Sequence, residues 1–196
     1  MTNINTANWS QLDAKQQQQL LQRPSSSSDQ ALYDTVQNII SQVIDQGDKA
    51  LIELAAKFDK VKLNKLMLDK SDLERLAADL PDKVKVAIDC AYQQIDVFHQ
   101  AQKSDDIRVE TRKGIVCELR QRPIEKIGLY IPGGTAPLPS TVLMLGVPSR
   151  IAQNKQRILC TPPDQQGQIN PAIAYAALSC GIDEVYLSGG AQAIAA

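Results

Sequence analysis

Apolar residues in the first half of the chain recur at steps of three and four, as they do on one face of a helix. One such stripe follows a capping box predicted at Ser27–Gln30 and ends at Gly47. Another begins after Pro81, and a second capping box is predicted at Ser71–Glu74. The pattern therefore predicts a mainly helical first half.

Further along the chain the hydrophobic period changes from helical spacing to strict alternation, which is typical of strands. Residues 107–111 and 115–119 each alternate apolar and polar side chains, and Lys113 and Gly114 lie between them. Two alternating runs around a glycine-containing turn predict a β-hairpin.

Three short apolar segments in the second half predict strands over 127–131, 157–161 and 184–188. The segments between them predict helices over 140–152, capped by Ser140, and over 171–179. Pro148 is expected to kink or shorten the first of these helices. Strands that alternate with helices in this order form a βαβαβ unit, which is the core of a parallel, doubly wound sheet. The predicted fold class is therefore α/β. A sheet that stops after three strands leaves an unpaired edge and an uncovered apolar face, and both favour self-association.

Charge is distributed unevenly along the chain. Only six of the 43 charged side chains lie in residues 127–196. So few charges predict a sheet that is covered on both faces. Pattern and charge together divide the chain into an N-terminal helical segment (1–23), a helical region with a β-hairpin (24–126) and an incomplete Rossmann-like domain (127–196).

Composition excludes several classes of function. The chain has 196 residues, 43% of them hydrophobic, and a formal net charge of −1. A balanced charge and an aromatic content of 4% do not favour nucleic acid as a partner. No apolar run approaches the ~20 residues that span a bilayer, and no secretory signal is evident. Four separate cysteines favour a reduced, cytoplasmic protein.

The chain offers few residues for metal binding or nucleophilic catalysis. His99 is the single histidine, and the four cysteines are scattered without a Cys-x-x-Cys pair. Such a set supplies neither a catalytic triad nor a metal site, so no metal ligands are predicted. The cysteines are predicted to be small, buried apolar residues.

Candidate ligand contacts lie where the predicted strands end. Tyr130 ends the first strand of the unit and precedes Gly133 and Gly134, and Gly189-Gly190 follows the third strand, just before Gln192. Open α/β sheets bind ligands at the carboxyl ends of their strands, where glycine lets the backbone approach a ligand. Ordinary tight turns and a half-buried tyrosine are the alternative interpretation. Asp164 is a candidate ribose ligand or, alternatively, a solvated loop residue.

Three separated motifs of the second half strongly resemble histidinol dehydrogenase. They are Ile127–Leu145, Leu159–Pro163 and Gly189–Ala196, in the same order, and Lys57–Asp59 is compatible with the same family. The resemblance covers essentially the whole chain, which corresponds to a little under half of a typical family member. Because the last predicted helix stops within one or two turns at Ala196, we expect a piece of a longer protein; a naturally short chain is the alternative.

The resemblance implies a zinc- and NAD-dependent homodimer that oxidises L-histidinol through an aldehyde to L-histidine, on incomplete Rossmann-like domains akin to those of aldehyde dehydrogenases. Within the matched motifs it implies that Tyr130 and Gln192 contact NAD. It places the zinc ligands and the catalytic glutamate–histidine pair in the later half of the family's chain, so this segment alone is expected to be inactive. The alternative is a catalytically inactive nucleotide-binding or dimerisation module that reuses this half-fold.

Overall fold

The structure is a computed structural model that describes residues 6–21, 30–134 and 136–196. The chain divides into two compact units, Met1–Asn38 and Ile39–Ala196. Ser27, in the first predicted capping box, lies outside the described residues. The three-part division drawn from the sequence stays a prediction. No helix in the described ranges is long and apolar enough to cross a membrane.

Helices account for most of the described residues. A 3₁₀ turn at Trp9–Gln11 precedes α1, and a π-helical turn at Ala55–Asp59 follows α3. The α-helices of the described residues are α1 Ala14–Leu21, α2 Gln30–Gln46, α3 Asp48–Leu54, α4 Lys70–Ala78, α5 Asp82–Ala101, α6 Pro139–Ile151, α7 Pro171–Ser179 and α8 Gly190–Ala195.

Helix ends agree with the sequence at some positions and differ at others. Helix α2 ends before Gly47, whose φ of +54° is a left-handed conformation that favours glycine. Helix α6 begins at Pro139 rather than after a Ser140 cap, because a proline in the first turn has no N–H to satisfy. The same helix continues through Pro148 to Ile151.

The capping box before α4 lies two residues earlier than predicted. Asp69, not Ser71, is the N-cap: its Oδ1 accepts from the backbone N–H of Asp72 at 3.1 Å, and Asp72 Oδ2 accepts from that of Asp69 at 3.3 Å. The Ser71 hydroxyl donates to Asp69 Oδ1 at 2.6 Å and lowers the pKa of Asp69. Lys65 forms ion pairs with the carboxylates of both Asp69 and Asp72. The capping box therefore begins where a lysine offsets the negative charge of its two aspartates.

Within the described residues, strands form two sheets. Their bounds are β1 Met67–Leu68, β2 Ile107–Arg112, β3 Ile115–Leu119, β4 Lys126–Tyr130, β5 Gln156–Thr161 and β6 Val185–Leu187. The antiparallel pair β2–β3 is the predicted hairpin, with Gly114 at a φ of +83° in its turn. The other sheet has the order β1-β6-β5-β4. Parallel pairing of β4, β5 and β6 confirms the βαβαβ unit.

Strand β1 changes the expected edges of the sheet. It pairs antiparallel with β6, which the sequence had left as an edge. Because this strand has only two residues, the sequence contains no alternating apolar and polar pattern that would predict it. Among the described residues, β4 has no partner on its other side. The sheet of the described residues therefore ends in β4 on one side and in the two-residue strand β1 on the other.

Helices cover one face of the parallel sheet closely. Leu129, Leu159 and Val185 are paired across β4, β5 and β6 and are buried among residues of α4, α5, α6 and α7. Their neighbours Tyr130, Cys160 and Tyr186, also paired with one another, are only half-buried on the opposite face. The prediction that both faces are covered is therefore wrong for the described residues, while the expected uncovered face is present.

The cysteines differ in exposure, which corrects the prediction that all are buried. Cys90 and Cys117 are exposed, Cys160 is half-buried, and Cys180 is buried. Desolvation raises the pKa of Cys160 and raises the pKa of Cys180 to about 11.

We expect Ellman's reagent to distinguish these thiols in the folded chain. The thiolate is the reacting form, so at roughly pH 8 Cys90 and Cys117 should react quickly, and Cys160 and Cys180 should react slowly until denaturant is added. Absorbance followed with time measures the two phases. Variants Cys90→Ser and Cys117→Ser should each remove part of the fast phase; four equally fast thiols would contradict the burial pattern.

Candidate functional site

Tyr130 lies at the carboxyl end of β4 and reaches across the sheet. Its Oη accepts a hydrogen bond from the backbone N–H of Gly190 at 3.0 Å, although β5 lies between β4 and β6 in the sheet. This contact joins the end of the first strand of the unit to the start of α8. The phenol is half-buried, so one side of the ring remains accessible.

Gln192 lies in the first turn of α8, close to the same glycine. Its side chain is 4% exposed, and its Oε1 lies 2.8 Å from the position that a Cβ on Gly190 would occupy. Gly190 has a φ of +62°, so a side chain there would be strained as well as blocked. Tyr130 and Gln192 therefore converge on Gly190 from two different elements. Their role as cofactor contacts stays a prediction.

The glycines of the two strand-end turns do not all serve the same purpose. A Cβ on Gly133 would overlap the ring of Pro162, and a Cβ on Gly189 would lie 2.8 Å from Pro162 Cβ. Gly134 has no neighbour within 4 Å of such a position. Gly133 and Gly189 thus allow two loops to close on one proline, and no described residue crowds Gly134.

Asp164 organises its own loop. Its Oδ1 accepts from the backbone N–H groups of Gln166 and Gln168, both at 2.9 Å. A carboxylate that is occupied by two local amides has less capacity to bind a ribose hydroxyl. This geometry favours the loop interpretation of Asp164 over a role as a ligand.

A cleft of about 350 Å³ lies on the half-buried face of the sheet. No lining residue is Asp, Glu, Lys or Arg. Its walls are formed by β4, β5 and the end of α8, through Gly128, Leu129, Tyr130, Ile158, Cys160, Ala193, Ile194 and Ala196. An apolar cleft with a tyrosine hydroxyl close to it suits a flat organic ring better than an ion.

Metal-ligand chemistry is not assembled in the described part of the chain. No group of three or more His, Cys, Asp and Glu residues there could hold a metal ion. His99, the single histidine, has its Nδ1 2.7 Å from Gln102 Oε1. The described donors therefore do not fit a resident zinc ion.

Two buried polar groups near the ends of elements are not indicated by the sequence pattern. Ser188 directly precedes Gly189 and is 5% exposed, and its hydroxyl has no hydrogen-bond partner among the described residues. Asp59 Oδ2, at the end of the π-helical turn, is also buried without such a partner, and desolvation raises the pKa of Asp59. Nothing in the hydrophobic pattern distinguishes these two residues from ordinary turn residues.

Comparisons with known proteins give a consistent family. The family model for histidinol dehydrogenase matches residues 21–196. The histidinol dehydrogenase of Photobacterium profundum is 46% identical over 193 residues, which cover 98% of this chain and 43% of that protein. That of Vibrio cholerae is 47% identical over 193 residues, which cover 98% of this chain and 44% of that protein.

A solved structure supports the same family. The crystal structure of histidinol dehydrogenase from Elizabethkingia anophelis has a TM-score of 0.85 and 41% identity, and the match covers 94% of this chain and 42% of that one. The chain thus spans less than half the length of the relatives that it matches. A family model that covers most of the chain and a structure with the same fold lead to one conclusion: this chain belongs to the histidinol dehydrogenase family.

Proposed function

We propose that this chain supplies part of the NAD site of a histidinol dehydrogenase, the enzyme that oxidises L-histidinol through L-histidinaldehyde to L-histidine. The observation that carries the proposal is the convergence of Tyr130 and Gln192 on Gly190 at the carboxyl edge of a parallel sheet. This is the edge at which open α/β sheets bind their ligands. In this proposal both side chains contact the dinucleotide.

The chemistry of the rim is compatible with NAD. No acidic side chain of the described residues lines the cleft beside Tyr130, so a dinucleotide phosphate meets no like-charged side chain there. The half-buried phenol offers a hydroxyl and part of its ring. The Gln192 amide has a donor and an acceptor, but it is 4% exposed, so its contact with NAD requires this side chain to become accessible. When bound, NAD would supply the hydride acceptor, and the residues of this chain would bind and orient it.

Zinc and acid–base catalysis are proposed to come from polypeptide other than the described residues. The family is expected to use zinc, but the described donors do not fit that ion. A base must also take the alcohol proton, and His99 is the single histidine of the chain. We therefore propose that the 196 residues alone are inactive and that the active form is a cytoplasmic, zinc-containing homodimer of longer subunits.

The test is a chimera that completes the chain. The residues of the Photobacterium profundum relative that follow its matched region are fused after Ala196, and NADH production is measured with L-histidinol. We expect turnover by the chimera and none by the 196-residue chain. A chimera that folds, binds NAD and remains inactive would favour the alternative of a nucleotide-binding module. Turnover by the chain alone, surviving repurification, would contradict the proposal.

Replacing Tyr130 with alanine in that chimera should weaken NAD binding selectively. Loss of one neutral contact costs about 1 kcal/mol, so KM for NAD should rise roughly fivefold, and KM for histidinol should change less. Tyr33→Ala is the matched control, because Tyr33 is an exposed tyrosine on α2. Equal increases in both Michaelis constants, or an equal effect of Tyr33→Ala, would argue against a cofactor role for Tyr130.

A further inference from the structure

A cavity of about 550 Å³ lies at the amino-terminal ends of β4 and β5, at the opposite end of these strands from Tyr130. Its walls come from the last turns of α5 and α6 and from the segment between β3 and β4. This volume is typical of pockets that hold a small organic ligand. The proposed NAD site does not use this cavity.

The charged side chains that line the cavity have one sign. Lys103 and Arg122 line it, and among the described residues no Asp or Glu does. Arg122 Nη1 lies 3.3 Å from a carboxylate oxygen of Asp106, which offsets part of its charge. No ion pair involves Lys103 within the described ranges. Within the part of the chain that the structure describes, the cavity therefore favours an anion, and Lys103 is the lining cation without an ion-pair partner.

His99 adds a second polar contact to the same wall. Its Nδ1 lies 2.7 Å from Oε1 of Gln102, so this ring nitrogen is already engaged by a residue of the same helix end. The other ring nitrogen, Nε2, remains for a ligand. His99 and Lys103 are four residues apart, at the end of α5 and just beyond it, and thus lie on one side of that helix end.

The rest of the lining is largely apolar. Ile127, Pro148 and Ile151 contribute from β4 and α6, and Ile124, on the connecting segment, is 70% exposed. Isoleucines that line an open cavity next to cations favour a ligand with an apolar body as well as an anionic group.

Polar contacts between the walls keep the cavity preformed. Asn154 Nδ2 donates to the carbonyl oxygen of Ile124 at 2.6 Å, which joins the end of α6 to the connecting segment. Arg150 and Asp96 form an ion pair that joins α6 to α5. A ligand that enters a preformed cavity loses little binding free energy to ordering of the protein.

We propose that this cavity binds a small organic anion, with its single anionic group against Lys103 and its apolar body against Ile124 and Ile151. The ligands that fit this description carry one carboxylate, sulfonate or phosphate group on an apolar body about the size of a ring. The site is separate from the NAD rim, so the proposal stands or falls independently of the proposed function.

The probe for this site is anilinonaphthalene sulfonate, which carries one sulfonate on an apolar ring system and fluoresces in apolar surroundings. We expect saturable binding of one probe per chain. Lys103→Gln should weaken that binding at least fivefold, because a charge-assisted contact is lost. Lys83→Gln, at an exposed lysine in the first turn of α5, removes the same charge outside the cavity and should leave the affinity unchanged.

A second variant separates this cavity from other apolar surfaces. Ile124→Glu places a carboxylate at the mouth of the cavity, at a residue exposed enough to accept it, and should reduce probe binding at least tenfold. The uncharged analogue N-phenylnaphthylamine should be insensitive to Lys103→Gln. Probe binding that is unaffected by both variants would place the probe elsewhere, for example on the open sheet face, and overturn the proposal. If Lys83→Gln lowers the affinity for the probe as much as Lys103→Gln does, the proposal is overturned as well.

Discussion

Replacing Leu159 with alanine is expected to lower the free energy of unfolding by about 3 kcal/mol, because a fully buried leucine loses its packing and leaves a cavity. Leu159 is 0% exposed at the centre of β5, between Leu129 and Val185 on the neighbouring strands. Urea unfolding followed by far-UV circular dichroism measures the loss.

The neighbouring residue provides the control for this prediction. Ile158 is on the same strand and has a side chain of the same size, but it belongs to the half-buried face of the sheet. Ile158→Ala should therefore lower the free energy of unfolding by clearly less, about 1 kcal/mol, because less of its apolar surface is removed from water on folding. Equal losses for the two variants would mean that both faces are packed alike and would contradict the one-sided core.

The regular parts of the fold could be predicted from the sequence because their signals are local. Helix α7 has its proline at the first turn and its glycine stop at Gly181, where the φ is +68°. The strands β4, β5 and β6 are likewise predicted by the short apolar runs in their own sequences. Their parallel order follows from the intervening helices, because parallel strands need long crossover connections.

Features that depend on distant contacts could not be predicted in this way. Strand β1 pairs through only Met67 and Leu68, and its existence depends on β6. The capping box at Asp69 was displaced from the expected Ser71 because Lys65 and the local geometry favour the earlier carboxylate. Whether a sheet face is covered depends on which elements reach it, and composition does not report that.

The candidate site was predictable in its position and not in its detail. Carboxyl ends of parallel strands share one edge, and that rule alone brings Tyr130 near the start of α8. The hydrogen bond from Gly190 to the phenol and the burial of Gln192 required the structure. The contacts of Gly133 with Pro162 also required it, since they join two loops that are distant in sequence.

Those loop contacts give the second large effect that we expect. Gly133→Ala should lower the free energy of unfolding by about 2 kcal/mol, because its methyl group would overlap the ring of Pro162, and forced overpacking usually costs about 1–3 kcal/mol. Urea unfolding of the purified variants measures it. Gly134→Ala is the matched control: apart from its chain neighbours, no atom of the described residues lies within 4 Å of its Cβ position, so its effect on the free energy of unfolding should stay within about 0.5 kcal/mol.

A double variant shows whether Pro162 is the obstacle. Pro162→Ala removes the atoms that the Gly133→Ala methyl group would meet, so the combined variant should lose less stability than the sum of the two single losses. Gly189 packs against the same ring, and Gly189→Ala should be relieved by Pro162→Ala in the same way. Strictly additive losses would show that the cost at Gly133 arises from the backbone and not from the proline. If the losses of stability are not additive, Pro162 is the residue that sets the spacing between the turns after β4 and β6. It then also sets the position of Gly190 relative to Tyr130.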